Sequence, residues 1–413
     1  DPISIDISKE KLKENPERRK NWDQGTLKKS PDNYQGFETI DLCNAHVYDV
    51  FGDYSNWLEE NHPKEFKRLR EGSNYKGDRY PYGDLKIPEK LHYNNWIADK
   101  SIEFIKEHVN QKLDQPFFLW CGFPDPHAPF AAVEKWINFY EDEDIDLPRH
   151  DEAINKDEIP KVMHKIQGKE GLERMIYKNG GEENLKEIYR RTFAMISHMD
   201  EQLGRIINSL EETGCTENTV VVFVSDHGDQ LGEHGLMHKN YWPFDGNSRV
   251  PMVINVPGMK NKSRKVEKVV SLLDIVPTLL DLAEVEYPDP KLNEDFYKSC
   301  GEKVASLLPG ESLKPVIKEG KDPKRGNALI EFDDDLNTAF DLLQMRVLVT
   351  DDYKLCTYAP TGEGLFFDRK KDPLEINNLY NQAKYKDVVK EMQNKMLVQI
   401  MRTDNRTPRR ICG

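Results

Sequence analysis

Apolar residues recur at helical spacing in several stretches of the chain. From Asn94 to Lys112 they are Trp96, Ile97, Ile102, Phe104, Ile105 and Val109, which predicts an amphipathic helix. Over residues 184–213 the stripe is Ile188, Phe193, Met195, Ile196, Met199, Leu203, Ile206, Ile207 and Leu210, with Gly214 as its cap. Ser271 to Leu282 and Tyr385 to Arg402 predict two more helices, and Phe51 to Leu58 and His62 to Arg70 two short ones. Three continuous apolar runs, Pro116 to Cys121, Thr219 to Val224 and Pro251 to Val256, have the profile of buried strands. Helices alternating with such strands predict an α/β layered sheet, largely parallel, with flanking helices.

After Pro309-Gly310 the pattern changes. Ala328 to Phe332, Met345 to Thr350, Lys354 to Tyr358 and Leu365 to Asp368 are short strands. The loops between the last three are too short for parallel crossovers, so these strands must be antiparallel. The expected division is residues 1–310 as the larger domain and 311–413 as a small antiparallel α+β subdomain.

Composition narrows the function classes. The chain has 413 residues, 37% hydrophobic, and a net charge of −14. An acidic chain is a poor general nucleic-acid binder, because phosphate contacts need clustered Lys and Arg. No apolar run reaches the roughly 18 residues of a membrane helix. The cysteines Cys43, Cys121, Cys215, Cys300, Cys356 and Cys412 show no CxxC spacing, which argues against zinc knuckles and disulfide scaffolds. The triplets Asn261-Lys262-Ser263 and Asn405-Arg406-Thr407 fit a glycosylation acceptor, a pattern frequent by chance. The opening residues lack a starting Met and a signal-peptide core, and read as a start inside a longer protein.

The richest chemistry follows the run ending at Val224. Residues 226–239 hold His227, His234, His238, Asp226, Asp229, Glu233 and Lys239. In α/β sheets ligands sit at the carboxyl ends of strands. The adjacent Asp226 and His227 suit two ligands to one cation, although these ligand types do not name the metal. Lys239 is a compact positive charge for an oxyanion. A plain hydrophilic loop has the same composition. In Phe123 to Phe130, three prolines surround His127, a frame that holds a side chain in place. A rigid His there could contact an oxyanion or protonate a leaving group; a structural histidine is the alternative. Asp351 and Asp352 also follow an apolar strand, but read as a turn facing water.

In order along the chain, several segments carry a resemblance. They are Phe117 to Phe130 with Pro126-His127-Ala128-Pro129, then Phe193 to Ile196 with Asp200 to Arg205, then Ser225 to Asp229 with Gly232 to Gly235. His238-Lys239, Arg249 to Pro251, Pro257-Gly258, Asp274 to Leu280, Tyr353 to Leu355, Phe367-Asp368, Asp372-Pro373 and Glu375 to Leu379 complete the series. The chain resembles sulfatases of the alkaline phosphatase superfamily over about residues 36–400. The resemblance implies an alkaline-phosphatase-like layered sheet and hydrolysis of a sulfate monoester, from a small molecule or a carbohydrate. It implies Asp226 and His227 as ligands of one divalent cation, Ca²⁺ or Mg²⁺. Lys239 would hold the sulfate, and His127 would contact it and assist the leaving oxygen.

The family's nucleophile is a formylglycine made from Cys or Ser in a C/S-x-P-x-R motif. No Cys or Ser here has Pro at the second and Arg at the fourth position after it. The expectation is that about 100 residues of the same protein precede Asp1 and carry that motif with further metal ligands, and that the chain alone is inactive. A phosphonate or phosphate monoesterase of the same superfamily, and a non-catalytic binding relative, are the alternatives. Leaving-group recognition is expected from residues 40–92 and 141–182, rich in Tyr, Trp, Lys and Arg.

Overall fold

A computed structural model describes residues 15–71, 82–111, 115–148, 154, 158–163, 181–239, 241–259, 263–285, 308–334, 343–359 and 361–403. Most of 149–180, part of 40–92, Cys300, Cys412 and both glycosylation asparagines lie outside the described residues. The chain forms two compact units, residues 1–147 with 176–219, and residues 148–175 with 220–413.

The first unit is built on helices. α1 (Asp53–Asn61) and α2 (Pro63–Arg70) precede a short strand β1 (Tyr82–Asp84). α3 (Tyr93–Asn110) follows, then β2 (Phe130–Ala132) and the 32-residue α4 (Gly181–Glu212). β1 and β2 pair in parallel, Tyr82 opposite Phe130. The core joins Val47, Val50, Tyr54 and Leu58 to Tyr93, Trp96 and Ile97 of α3, Ala131 of β2, and Ala194 and Met195 of α4. Trp96, Ile97 and Ile105 of the α3 stripe and Ile188, Met195, Ile206 and Leu210 of the α4 stripe are buried, whereas Ile196 and Ile207 of α4 are exposed. Gly214 has φ +74°, the left-handed cap its position after α4 requires.

One predicted strand does not form. Pro116 to Cys121 is irregular, with Phe118 62% and Trp120 72% exposed. Exposure alternates between half-buried and exposed along 117–121, as it would along a strand, but no described segment pairs with it. An apolar run becomes a buried strand only when a neighbouring strand and a covering layer complete it.

In the second unit β3 (Val221–Val224) pairs antiparallel with β4 (Met252–Asn255), with Val222 opposite Ile254. This corrects the largely parallel expectation: among the described residues only the β1–β2 pair is parallel. β3 is half-buried along its length, and Val253 of β4 is exposed. Between these strands lie a short 3-10 turn (Glu233–Gly235) and one turn of α-helix, α5 (Asp245–Ser248), and beyond them α6 (Ile275–Leu282).

The C-terminal strands form the expected sheet. β5 (Asn327–Asp334), β6 (Leu343–Thr350), β7 (Tyr353–Tyr358) and β8 (Gly364–Asp368) are antiparallel in sequence order. Their side chains alternate between two cores, as the two-residue strand period demands. Leu343, Met345, Val347, Cys356, Tyr358, Leu365 and Phe367 pack with Trp242 and Phe244. Leu348, Leu355 and Phe366 face Val389, Met392 and Met396 of α7 (Lys386–Thr403). The sheet therefore holds, on one face, the segment that follows Lys239. Asp351 sits in the β6–β7 turn, paired with Lys268 at 2.8 Å and accepting the Val269 N–H, a structural turn as its sequence suggested.

Candidate functional site

The loop after β3 is shaped by backbone that ordinary residues avoid. Leu231, His234 and His238 have positive φ, and Gly232 has φ +97°. Gly228 N–H donates to Asn247 O at 2.9 Å, and a Cβ on Gly228 would lie 2.0 Å from Gly246 O. Glycine is required there because the two loops touch through backbone. Asp229 ties the loop together, its Oδ1 accepting the N–H of Leu231 at 3.0 Å and of His238 at 2.8 Å. Burial acts to raise the Asp229 carboxyl, but hydrogen bonds from His238 and Leu231 outweigh it and hold the group below its usual range.

Asp226, His227 and Lys239 come together. His227 Nε2 lies 3.4 Å from Asp226 Oδ2 and 2.7 Å from Lys239 Nζ. Its Nδ1 lies 2.8 Å from the Gly228 carbonyl, which can only accept. The proton is therefore on Nδ1, and the Nε2 lone pair faces Lys239 and Asp226. A histidine that gives one N–H to a backbone carbonyl and aims the other lone pair outward has the arrangement of a metal ligand. With the neighbouring carboxylate, the donor types are ones that suit a divalent cation. The ammonium of Lys239 lies where that lone pair is aimed.

The other two histidines of this loop have different surroundings. His234 is buried, stacked on Phe244 at 4.0 Å, and its Nδ1 accepts the Ile154 N–H at 3.2 Å. Burial, with the Lys354 charge, pushes it down to about 4, so it is a neutral packing residue. His238 stays beside Asp229, 3.4 Å away. Beneath the loop, Lys354 is fully buried between Asp245 and Glu375 and donates to Pro243 O at 3.1 Å. These contacts fasten the 243–245 segment to β7.

In the first unit His127 is held by backbone. Its N–H donates to Pro124 O at 3.2 Å, its Nδ1 to Ala128 O at 2.6 Å, and its ring stacks on His46 at 3.5 Å. The peptide bonds Asp125–Pro126 and Ala128–Pro129 are cis. Sequence reasoning missed the group behind this loop. His92, Asp125 and His198 are buried and offer ligand-type atoms within 4.8 Å of one another. Asp125 lay within the proline-framed stretch, but its partners are more than thirty residues away along the chain and nothing local announces them.

A sequence model of the Sulfatase family matches residues 29–285, and one described as N-sulphoglucosamine sulphohydrolase, C-terminal, matches residues 291–402. The chain belongs to the sulfatase family. It is 34% identical over 304 residues to an arylsulfatase of Clostridium perfringens, which covers 72% of this chain and 56% of that protein. It is 28% identical over 356 residues to a choline-sulfatase of Rhizobium meliloti, covering 84% of this chain and 62% of that one. The chain thus spans under two thirds of the length of these relatives. Among solved structures, a phosphonate monoester hydrolase of Agrobacterium radiobacter superposes with a TM-score of 0.67 at 24% identity, over 91% of this chain and 73% of that one. That likeness concerns the fold. Members of the sulfatase family generally bind a divalent metal.

Proposed function

We propose that the protein hydrolyses a sulfate monoester of a small molecule or carbohydrate, with the nucleophile, a formylglycine, contributed by a segment outside this chain. The observation that carries the reading is the His227 arrangement: a fixed tautomer, an outward lone pair, and Asp226 and Lys239 beside it. Asp226 and His227 would hold a divalent cation, Ca²⁺ or Mg²⁺. When bound, such a cation polarises the ester and balances negative charge.

The chain's own residues would do the following. Lys239 donates N–H bonds to the sulfate oxygens and offsets charge that grows in the transition state. His127, its Nδ1–H held by Ala128 O, presents Nε2 to the ester. In its protonated form it contacts a sulfate oxygen and delivers a proton to the leaving alcohol. Asp229 holds His238 and Leu231, and so fixes the loop that ends in Lys239. Residues from 40–92 and 141–182 would recognise the alcohol.

The test is turnover by the full-length protein of 4-nitrophenyl sulfate beside a 4-nitrophenyl phosphonate monoester, with and without a chelator. Chelator-sensitive turnover of the sulfate in preference to the phosphonate is expected. Preference for the phosphonate would favour the monoesterase alternative. Failure on both, with the cation bound, would favour a binding relative.

A further inference from the structure

The loop that carries His127 has one buried side chain. Within residues 123–129 only Asp125 is buried; its neighbours are partly exposed. The Asp125 carboxylate accepts from Tyr93 Oη and, at 2.8 Å, from Asn94 Nδ2, both in the first turn of α3. Tyr93 and Asn94 are themselves fully buried. His92, the residue before α3, caps it by accepting the Asn94 N–H at Nδ1, 3.1 Å away. His198 of α4 meets the His92 ring edge-on at 4.6 Å, and its Nε2 lies 2.8 Å from Asn95 Oδ1. Side chains from the start of α3 and the middle of α4 therefore converge on the one carboxylate that anchors the His127 loop.

This group is arranged for hydrogen bonding more than for a cation. A backbone N–H can only donate, so His92 Nδ1 carries the lone pair and the neutral ring bears its proton on Nε2. That Nε2 is buried without a hydrogen-bond partner. A metal there would have to displace a proton as well as reach a ring already used as a helix cap. Both oxygens of Asp125 are already occupied by donors.

We propose that Asp125, clamped by Tyr93 and Asn94, is the positioning residue of His127. This inference rests on the sulfate-ester reading given above. Between the two residues stands only Pro126, whose ring fixes φ, and His127 N–H returns to Pro124 O. A shift of the Asp125 carboxylate is therefore passed to the imidazole with little slack. Burial raises the Asp125 carboxyl to about 7, and the bonds from Tyr93 and Asn94 work against that rise. Removing a donor thus loosens the anchor and also weakens its charged form.

The test uses the full-length protein with Tyr93→Phe, which deletes one hydroxyl, and Asp125→Asn, which keeps the shape. The His127 imidazole signals are assigned by their loss in His127→Ala. Tyr93→Phe is expected to shift or broaden those signals while far-UV circular dichroism stays unchanged. It should lower kcat/KM about tenfold on an alkyl sulfate, whose poor leaving group needs the proton, and less on 4-nitrophenyl sulfate. In His127→Ala it should add nothing, because the positioned group is gone. An unchanged His127 signal, or losses that multiply in the double variant, would overturn the proposal. So would a metal equivalent that is lost in His198→Ala and kept in Asp226→Ala. Should the wild type cleave no sulfate ester, the sulfate-ester reading fails, and the imidazole signal still decides whether Asp125 positions His127.

Discussion

Lys239 Nζ stands 2.7 Å from His227 Nε2, on the side of the ring that carries the lone pair. The ammonium and a divalent cation compete for the same electrons. Removing the ammonium should therefore favour the cation. In Lys239→Met, calorimetry of the full-length protein should show cation affinity raised about tenfold, the scale of one short-range charge repulsion near a surface. Unchanged or weaker affinity would mean that the cation does not bind at Asp226 and His227.

Gly228 approaches Gly246 O too closely for any side chain. Gly228→Ala should displace the turn that holds His227 and abolish cation binding. The rest of the unit should keep its secondary structure, measured by circular dichroism, because the clash is confined to the two loops. Asp351→Ala is the contrast. It loses the Lys268 pair and the Val269 bond, lowers the denaturant midpoint slightly, and leaves cation affinity intact.

Lys354 is buried with its charge shared by Asp245 and Glu375. Lys354→Met keeps the packing stem but leaves two carboxylates facing each other in the interior. Destabilisation of about 3–5 kcal/mol is expected in urea melts. Adding Glu375→Gln should recover part of that loss.

His234 in one unit and His198 in the other are each pushed down to about 4, chiefly by burial. The unfolded chain takes up these protons near pH 6.5, before the folded one does. Their contribution is complete above pH 6.5, falls as pH drops, and is lost by about pH 4. Thermal melts from pH 7.5 to 4.5 should decline across that window. His234→Gln, whose amide can still accept the Ile154 N–H, should flatten the decline.

The residues differ in how far local pattern could announce them. The pairing of β6, β7 and β8 was legible because the loops between them are too short for parallel crossovers. Asp226, His227 and Lys239, which lie together, could be picked out as candidates because a dense polar run followed a β-branched strand. Pro116 to Cys121 was misread because an apolar run records only a wish to be covered; the cover comes from other segments. Val221 to Val224 misled in direction, since antiparallel pairing with Met252 to Asn255 depends on how the intervening loop turns back. The Tyr93–Asp125 and Asn94–Asp125 bonds join residues about thirty apart, and no local periodicity encodes such a meeting. The same holds for His46 on His127.

The central claim is that this site works on a sulfate ester through Lys239. It is tested most directly by kcat/KM of the full-length protein on 4-nitrophenyl sulfate, wild type against Lys239→Ala, at saturating cation. The account predicts a loss of about 10²–10³, the scale for removing one preorganised donor to developing negative charge. A value within about twofold of wild type would contradict it.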